Sequence, residues 1–138
     1  MSMDQIAIEK FRKNLELQRQ DVWQLLGQLE HERRSLDVDS TQDSADRCIN
    51  SLSRESLFER SSQLRTLLRL IEAALRRIAD GSFGACIACG DDIQDRRLEA
   101  LPWTQFCLHC QEVIEEEVGA KLSRRISSPA AETWRRAG

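Results

Sequence analysis

The chain has 138 residues, a formal net charge of −3, 31% charged residues and only 5% aromatics, with no tyrosine. An acidic total lacks the basic surplus of a general nucleic-acid binder, and no run of about 18 or more apolar residues is present to span a bilayer. Few aromatics beside many Leu, Ile and Val suit helices better than a sheet sandwich, in one elongated domain or two small ones.

The opening stretch "MSMDQIAIEK" has an early acid and no long apolar run. No signal peptide is expected from it, and the chain reads as soluble and cytoplasmic. From Phe11 a heptad register runs through Leu15, Gln18, Val22, Leu25, Leu29, Glu32 and Leu36. Steps alternate between four and three, which predicts a long helix burying one narrow seam. Trp23 flanks that seam and is expected to pack in part, with His31 exposed.

Next comes an acidic elbow, "SLDVDSTQDSADRC", with Asp37, Asp39, Asp43 and Asp46 and neither glycine nor proline. Ser40, Thr41, Asp43 and Ser44 offer starts for a second helix. Its register is Leu57, Ser61, Leu64, Leu68, Ile71, Leu75 and Ile78. Asp80-Gly81 stops it, since glycine tolerates the left-handed conformation of helix ends. Two long helices joined by one elbow predict an antiparallel coiled-coil hairpin over 1–80, its acidic tip at about 37–48. On residues alone, Asp43 and Asp46 read as helix-start acids that also keep the turn soluble. The arginines Arg54, Arg60, Arg65, Arg69, Arg76 and Arg77 read as a solvated face.

After Gly81 the periodicity stops and the cysteines begin. "CIAC" (Cys86, Cys89) and "CLHC" (Cys107, Cys110) are separated by seventeen residues. Each two-residue gap lets a tight knuckle aim both sulfurs at one ion, and four thiolates suit a closed tetrahedral zinc. Gly90, just after the first pair, supplies backbone freedom for the knuckle. Disulfides and a redox pair are the competing readings; a reducing compartment disfavours the first, and the doubled pair disfavours the second. Four ligands leave no open position, so the zinc is structural and no catalytic residue is assigned. His109, between the second pair, is expected at the surface rather than on the metal. Phe83, Leu98, Leu101, Trp103 and Phe106 form the expected core of the module, with Arg96 and Arg97 either offsetting thiolate charge or solvated.

A last helix is expected from Gln111 to Arg125, with Ile114, Val118, Leu122 and Ile126 at spacing four. Cys110 near its start is expected to be favoured as thiolate by the helix dipole. The module and this helix make a unit over 81–126, and 127–138, with Trp134, a loose tail. The fold class is therefore mainly α: a long hairpin, a four-cysteine zinc knuckle and a C-terminal helix.

"DGSFGACIACGDDIQDRRLEALP" followed by "CLHC", behind a hairpin with "DSADRC" at its turn, resembles the DksA/TraR family. The resemblance covers about Phe11 to Leu122. It implies a bacterial transcription factor that binds RNA polymerase through the secondary channel and not DNA, its tip reaching toward the catalytic centre. Family members carry Asp-x-x-Asp-x-Ala there. Asp43 and Asp46 match the acids and Cys48 stands in place of the alanine, which gives these three a polymerase-contacting role. Cysteine is close to alanine in size and apolar character. Some members bind guanosine tetraphosphate (ppGpp) through basic residues. The corresponding positions here are Gln63, Leu70, Leu101 and Gln111, so a strong alarmone site is not expected.

The resemblance thus points to a monomeric, non-enzymatic regulator of promoter open-complex stability. The alternative is a Gre-like transcript-cleavage or elongation factor using the same acidic tip. Direct DNA binding has only Arg96, Arg97 and the late arginines in its favour.

Overall fold

The computed structural model describes residues 3–38 and 44–126, with side chains throughout these ranges except at positions 37, 38, 44–46, 125 and 126. Among the described residues four helices follow in order: α1 (Gln5–Val38), α2 (Ser44–Asp80), α3 (Asp95–Ala100) and α4 (Leu108–Ile126). At about 1.5 Å per residue, α1 and α2 are rods of roughly 50–55 Å. They run antiparallel. Near the elbow, Arg54 of α2 donates to the Leu36 carbonyl at 3.4 Å. Far from it, Leu15 and Val22 share one buried cluster with Leu68, Ile71 and Ala74.

The seam on α2 follows the predicted register throughout. Leu57, Leu68 and Ile71 are buried, and Ser61, Leu64, Leu75 and Ile78 are half-buried. On α1, Leu15, Val22 and Leu29 are buried as expected, but Leu25 is 43% exposed. Leu26 packs on the core instead. At about 3.6 residues per turn Leu25 and Leu26 lie about equally far to either side of the line from Val22 to Leu29, and the partner helix meets the later one. Trp23 is 57% exposed rather than packed. A two-helix seam buries only a narrow stripe, and a residue one step past Val22 is turned about 100° away from it. His31 is exposed, as expected. Gln18 occupies a seam position, and its Oε1 is buried without a hydrogen-bond partner.

α2 ends where Asp80-Gly81 predicts. Gly81 adopts φ +84°, and the Arg77 carbonyl accepts N–H bonds from Ser82 at 2.9 Å and Phe83 at 3.2 Å. The bond from Ser82 is the helix-closing one of a Schellman-type end. The Asp80 carboxylate accepts from the Ser82 hydroxyl and from its N–H at 2.9 Å.

Beyond this turn the chain makes a short ribbon, with one antiparallel bridge between Ala85 and Asp92. α3 was not expected. Six residues make fewer than two turns, too few for a periodic signal, yet α3 carries the fully buried Leu98. α4 starts at Leu108, three residues before the expected Gln111. Its apolar stripe is largely uncovered, with Val118 60% and Leu122 59% exposed and Ile114 half-buried. Among the described residues no helix is long and apolar enough to cross a membrane. Trp134 and the rest of 127–138 lie outside the described residues.

Candidate metal centre

The first knuckle is a tight backbone loop. The Cys86 N–H donates to the Asp91 carbonyl at 2.8 Å, and the Cys86 carbonyl accepts from the Gly90 N–H at 2.9 Å. Gly90 closes it at φ +79°, a conformation that costs a residue with a Cβ. The second knuckle is a helix start. Cys107 directly precedes α4, Cys110 lies in its first turn, and the Gln111 N–H donates to the Cys107 carbonyl at 3.0 Å. A bond from the Ile87 N–H to the Gln105 carbonyl, also 3.0 Å, ties the knuckles together.

The four sulfurs of Cys86, Cys89, Cys107 and Cys110 all lie within 4.8 Å of one another, and Cys89 Sγ is 3.8 Å from Cys107 Sγ. A zinc tetrahedron with Zn–S bonds of about 2.3 Å has sulfur–sulfur edges of about 3.8 Å. Donor type, number and spacing therefore fit a single structural zinc. None of the five cysteines is in a disulfide, and the exposed His109 is not part of the converging group.

The thiols do not titrate alike. Burial pushes the Cys86 thiol up, but the backbone N–H groups of Cys107, Cys89 and Ala88 together outweigh it and bring it down to about 6. Cys110 goes the other way, up to about 12, because a hydrogen bond to Cys107 and then burial hold its proton. The expected dipole effect on Cys110 thus loses to its sulfur neighbours. Of the two, Cys86, amid three amides, gives up its proton the more readily.

Around the site Cys86, Ile93 and Leu98 are buried, with Met3, Phe11, Phe83, Phe106, Cys107 and Cys110 packed against them. Phe83 and Phe106 thus take their expected places, but Trp103 packs on the hairpin cluster. Leu101 is 40% exposed. It caps α3 through a 2.8 Å bond from its N–H to the Arg97 carbonyl, and the next residue, Pro102, is the one fully buried. Nothing in the sequence marks Ile93 or Pro102 as core residues. Ile93 follows two aspartates, and neither residue stands in a periodic run. Arg97 Nε donates to the Phe106 carbonyl at 3.0 Å, one residue before Cys107, and Arg96 is exposed.

Of the predicted tip, Asp43 lies outside the described residues. Asp46 falls in the first turn of α2 without a described side chain, and Cys48 is exposed. Leu70, Leu101 and Gln111 line one open groove at the foot of the hairpin, together with Arg97, Trp103, Glu112 and Glu115. Gln63 is exposed on α2 and does not line it.

A four-cysteine zinc ribbon seated on the base of a long helical hairpin is the class that this fold and site define. Residues 81–116 match the prokaryotic dksA/traR C4-type zinc-finger family. An uncharacterised protein from Aquifex aeolicus is 44% identical over 55 residues, covering 40% of this chain and 38% of the relative. The RNA polymerase-binding transcription factor DksA of Escherichia coli is 41% identical over 51 residues, covering 37% of this chain and 34% of the relative. The matched stretch thus spans little more than a third of these curated relatives. The structural likeness extends further. The structure of transcription factor DksA2 from Pseudomonas aeruginosa superposes with a TM-score of 0.74 at 29% identity, covering 83% of this chain and 87% of that one. The DksA/TraR resemblance read from the motifs therefore holds in the finger sequence and in the fold of hairpin and finger together.

Proposed function

We propose that this chain is a cytoplasmic, non-enzymatic transcription regulator that binds RNA polymerase by inserting its hairpin into the secondary channel. The observation that carries this reading is the joining of a dksA/traR finger to paired helices of 34 and 37 residues in the fold of DksA2. In this reading the zinc ribbon is the grip, and the rod delivers Asp43 and Asp46, with Cys48 beside them, to the far end. Inside a channel of low dielectric the carboxylates pair more strongly with cationic or N–H donors than in water. The regulator does no chemistry. It acts as a monomer by biasing an equilibrium between polymerase states, and a coupling of about 1–3 kcal/mol changes promoter opening several-fold or more.

Direct DNA contact has no part in the mechanism. Nor has a strong ppGpp site at the foot of the hairpin. Leu70, Leu101 and Gln111 offer no cation there, and Glu112 and Glu115 oppose the single lining arginine, Arg97.

The deciding experiment is competition with a Gre-type factor for polymerase, run beside open-complex lifetimes. Mutual exclusion, with lifetimes that change for the unsubstituted protein and not for Asp46→Asn, is the expected result. Unchanged lifetimes would remove the proposal. Shortened transcripts from a backtracked complex would replace it with the Gre-like reading.

A further inference from the structure

Between the last residue of α2 and Phe83 the chain has only Gly81 and Ser82, and Gly81, at φ +84°, has no Cβ to restrict its dihedrals. Something must fix how the rod leaves the zinc ribbon. Apolar contacts across the joint are present, since Phe83 and Trp103 pack on the hairpin cluster and Met3 and Phe11 pack on the ribbon core, but the attraction in such contacts is non-directional. Hydrogen bonds are directional.

One residue holds both sides of the joint. The Arg77 carbonyl receives Ser82 and Phe83 as described, and the Arg77 guanidinium reaches across to donate from Nη2 to the Thr104 carbonyl at 3.3 Å. Thr104 is 9% exposed, and its hydroxyl donates to the Phe106 carbonyl at 3.2 Å. Arg97 donates to that same carbonyl. The path therefore runs from the last turn of α2 to the residue that precedes Cys107.

Arg77 also differs from every other arginine of α2. Arg47, Arg54, Arg60, Arg65, Arg69 and Arg76 are exposed, whereas Arg77 is half-buried and its Nε is buried without a partner. Burial weakens its hold on the proton, with Asp80 opposing that effect. A half-desolvated cation is less favourable at such a place than an apolar side chain of similar bulk. Its use lies in direction.

We propose that Arg77 is a latch that fixes the angle between the hairpin and the zinc ribbon by gripping the Thr104 carbonyl. The angle matters because the rod is a lever. Over about 50 Å, a rotation of about 10° at the base moves the far end by roughly 9 Å. The latch is a property of the chain alone, so its test needs no polymerase and is independent of the proposal above.

The test uses the zinc-loaded full chain with genetically encoded spin labels at two exposed positions, Gln28 on α1 and Glu116 on α4. Pulsed electron resonance then reads the distribution of distances between them. The unsubstituted protein is expected to give one narrow distribution. Arg77→Met, which keeps the bulk and loses the donor, should broaden it or shift it by about 5 Å or more, on the lever arithmetic above, with one zinc per chain and helix content unchanged. Arg77→Lys, whose ammonium can still reach a carbonyl, should restore much of the narrowing. A distribution for Arg77→Met that matches the unsubstituted protein overturns the latch. So does Arg77→Lys as broad as Arg77→Met. Loss of zinc or of helix content in both variants also overturns it, because Arg77 would then hold the ribbon's fold rather than its direction.

Discussion

The hairpin and the zinc ribbon are held by different means. The hairpin repeats one contact along its length, with Leu15, Val22, Leu29, Leu57, Leu68 and Ile71 each burying a side chain in the seam. The loss of one such contact leaves the rest in place. The ribbon has few apolar residues fully inside, chiefly Ile93, Leu98 and Pro102, and its four sulfurs are brought together by two separate backbone turns. There the metal must do what the seam does in the rod. A distributed interaction degrades gradually, and a focal one fails at once.

Metal removal breaks this comparison most sharply. Structural zinc in such modules supplies about 10–16 kcal/mol of apparent binding free energy. Chelation, or Cys86→Ser, is expected to unfold 84–110 as a unit, visible as collapsed amide dispersion there, while α1 and α2 retain most of the helical circular-dichroism signal. A hairpin that melts with the ribbon would show that the two are one cooperative unit.

Two core truncations come next, at side chains that are both wholly buried. Ile71→Ala and Leu98→Ala should each cost about 2–5 kcal/mol. The readouts should divide. Ile71→Ala lowers the denaturation midpoint of the rod with zinc affinity unchanged, and Leu98→Ala weakens zinc retention against a competing chelator. Equal loss of zinc from both variants would erase the distinction.

The pH dependence of zinc binding is a smaller effect with a definite sign. Cys110 is held protonated, up to about 12, and Cys89 is also raised, so zinc must displace protons from them at neutral pH. Affinity should therefore fall as pH falls, by about tenfold per pH unit for each proton released. Calorimetry in buffers of different ionisation enthalpy counts those protons. Cys86, brought down to about 6, contributes little to the count above that pH. Release of fewer than two protons at pH 7 would contradict the assignment.

The smallest effect lies at the joint. Hydrogen bonds from the Ser82 side chain, and then its backbone, hold the Asp80 carboxyl below its ordinary range. Its contribution is present above the unfolded pKa and is lost only as pH falls through the lower folded value. At neutral pH, Asp80→Asn should speed amide exchange at Ser82 and leave the melting temperature of the rod unchanged.

Much of this was legible in the sequence because the hairpin and the ligands each carry a repeated signal. The α2 register could be read residue by residue, and the doubled Cys-x-x-Cys spacing identified all four converging sulfurs. The α1 seam was readable only to within one position, since Leu25 and Leu26 satisfy the pattern equally and only the partner helix decides between them. α3 was not legible at all: six residues give no period, and Leu98 is buried because of where the ribbon folds. Leu101 misled because it is apolar, while Pro102 beside it took the inward place. The protonation of Cys110 depended on the other three sulfurs, which lie close only in three dimensions.

The ribbon's inner face is completed by the far end of the sequence. Met3 and Phe11 pack on it, Phe11 and Phe83 meet ring to ring with centroids 5.4 Å apart, and a Cβ built on Gly84 would stand 3.0 Å from the tip of the Met3 side chain. The finger is therefore no portable cassette. Excised at Gly81 and grafted elsewhere, it would keep its ligands but lose one wall, and any shortening of the amino terminus would be felt first at the metal.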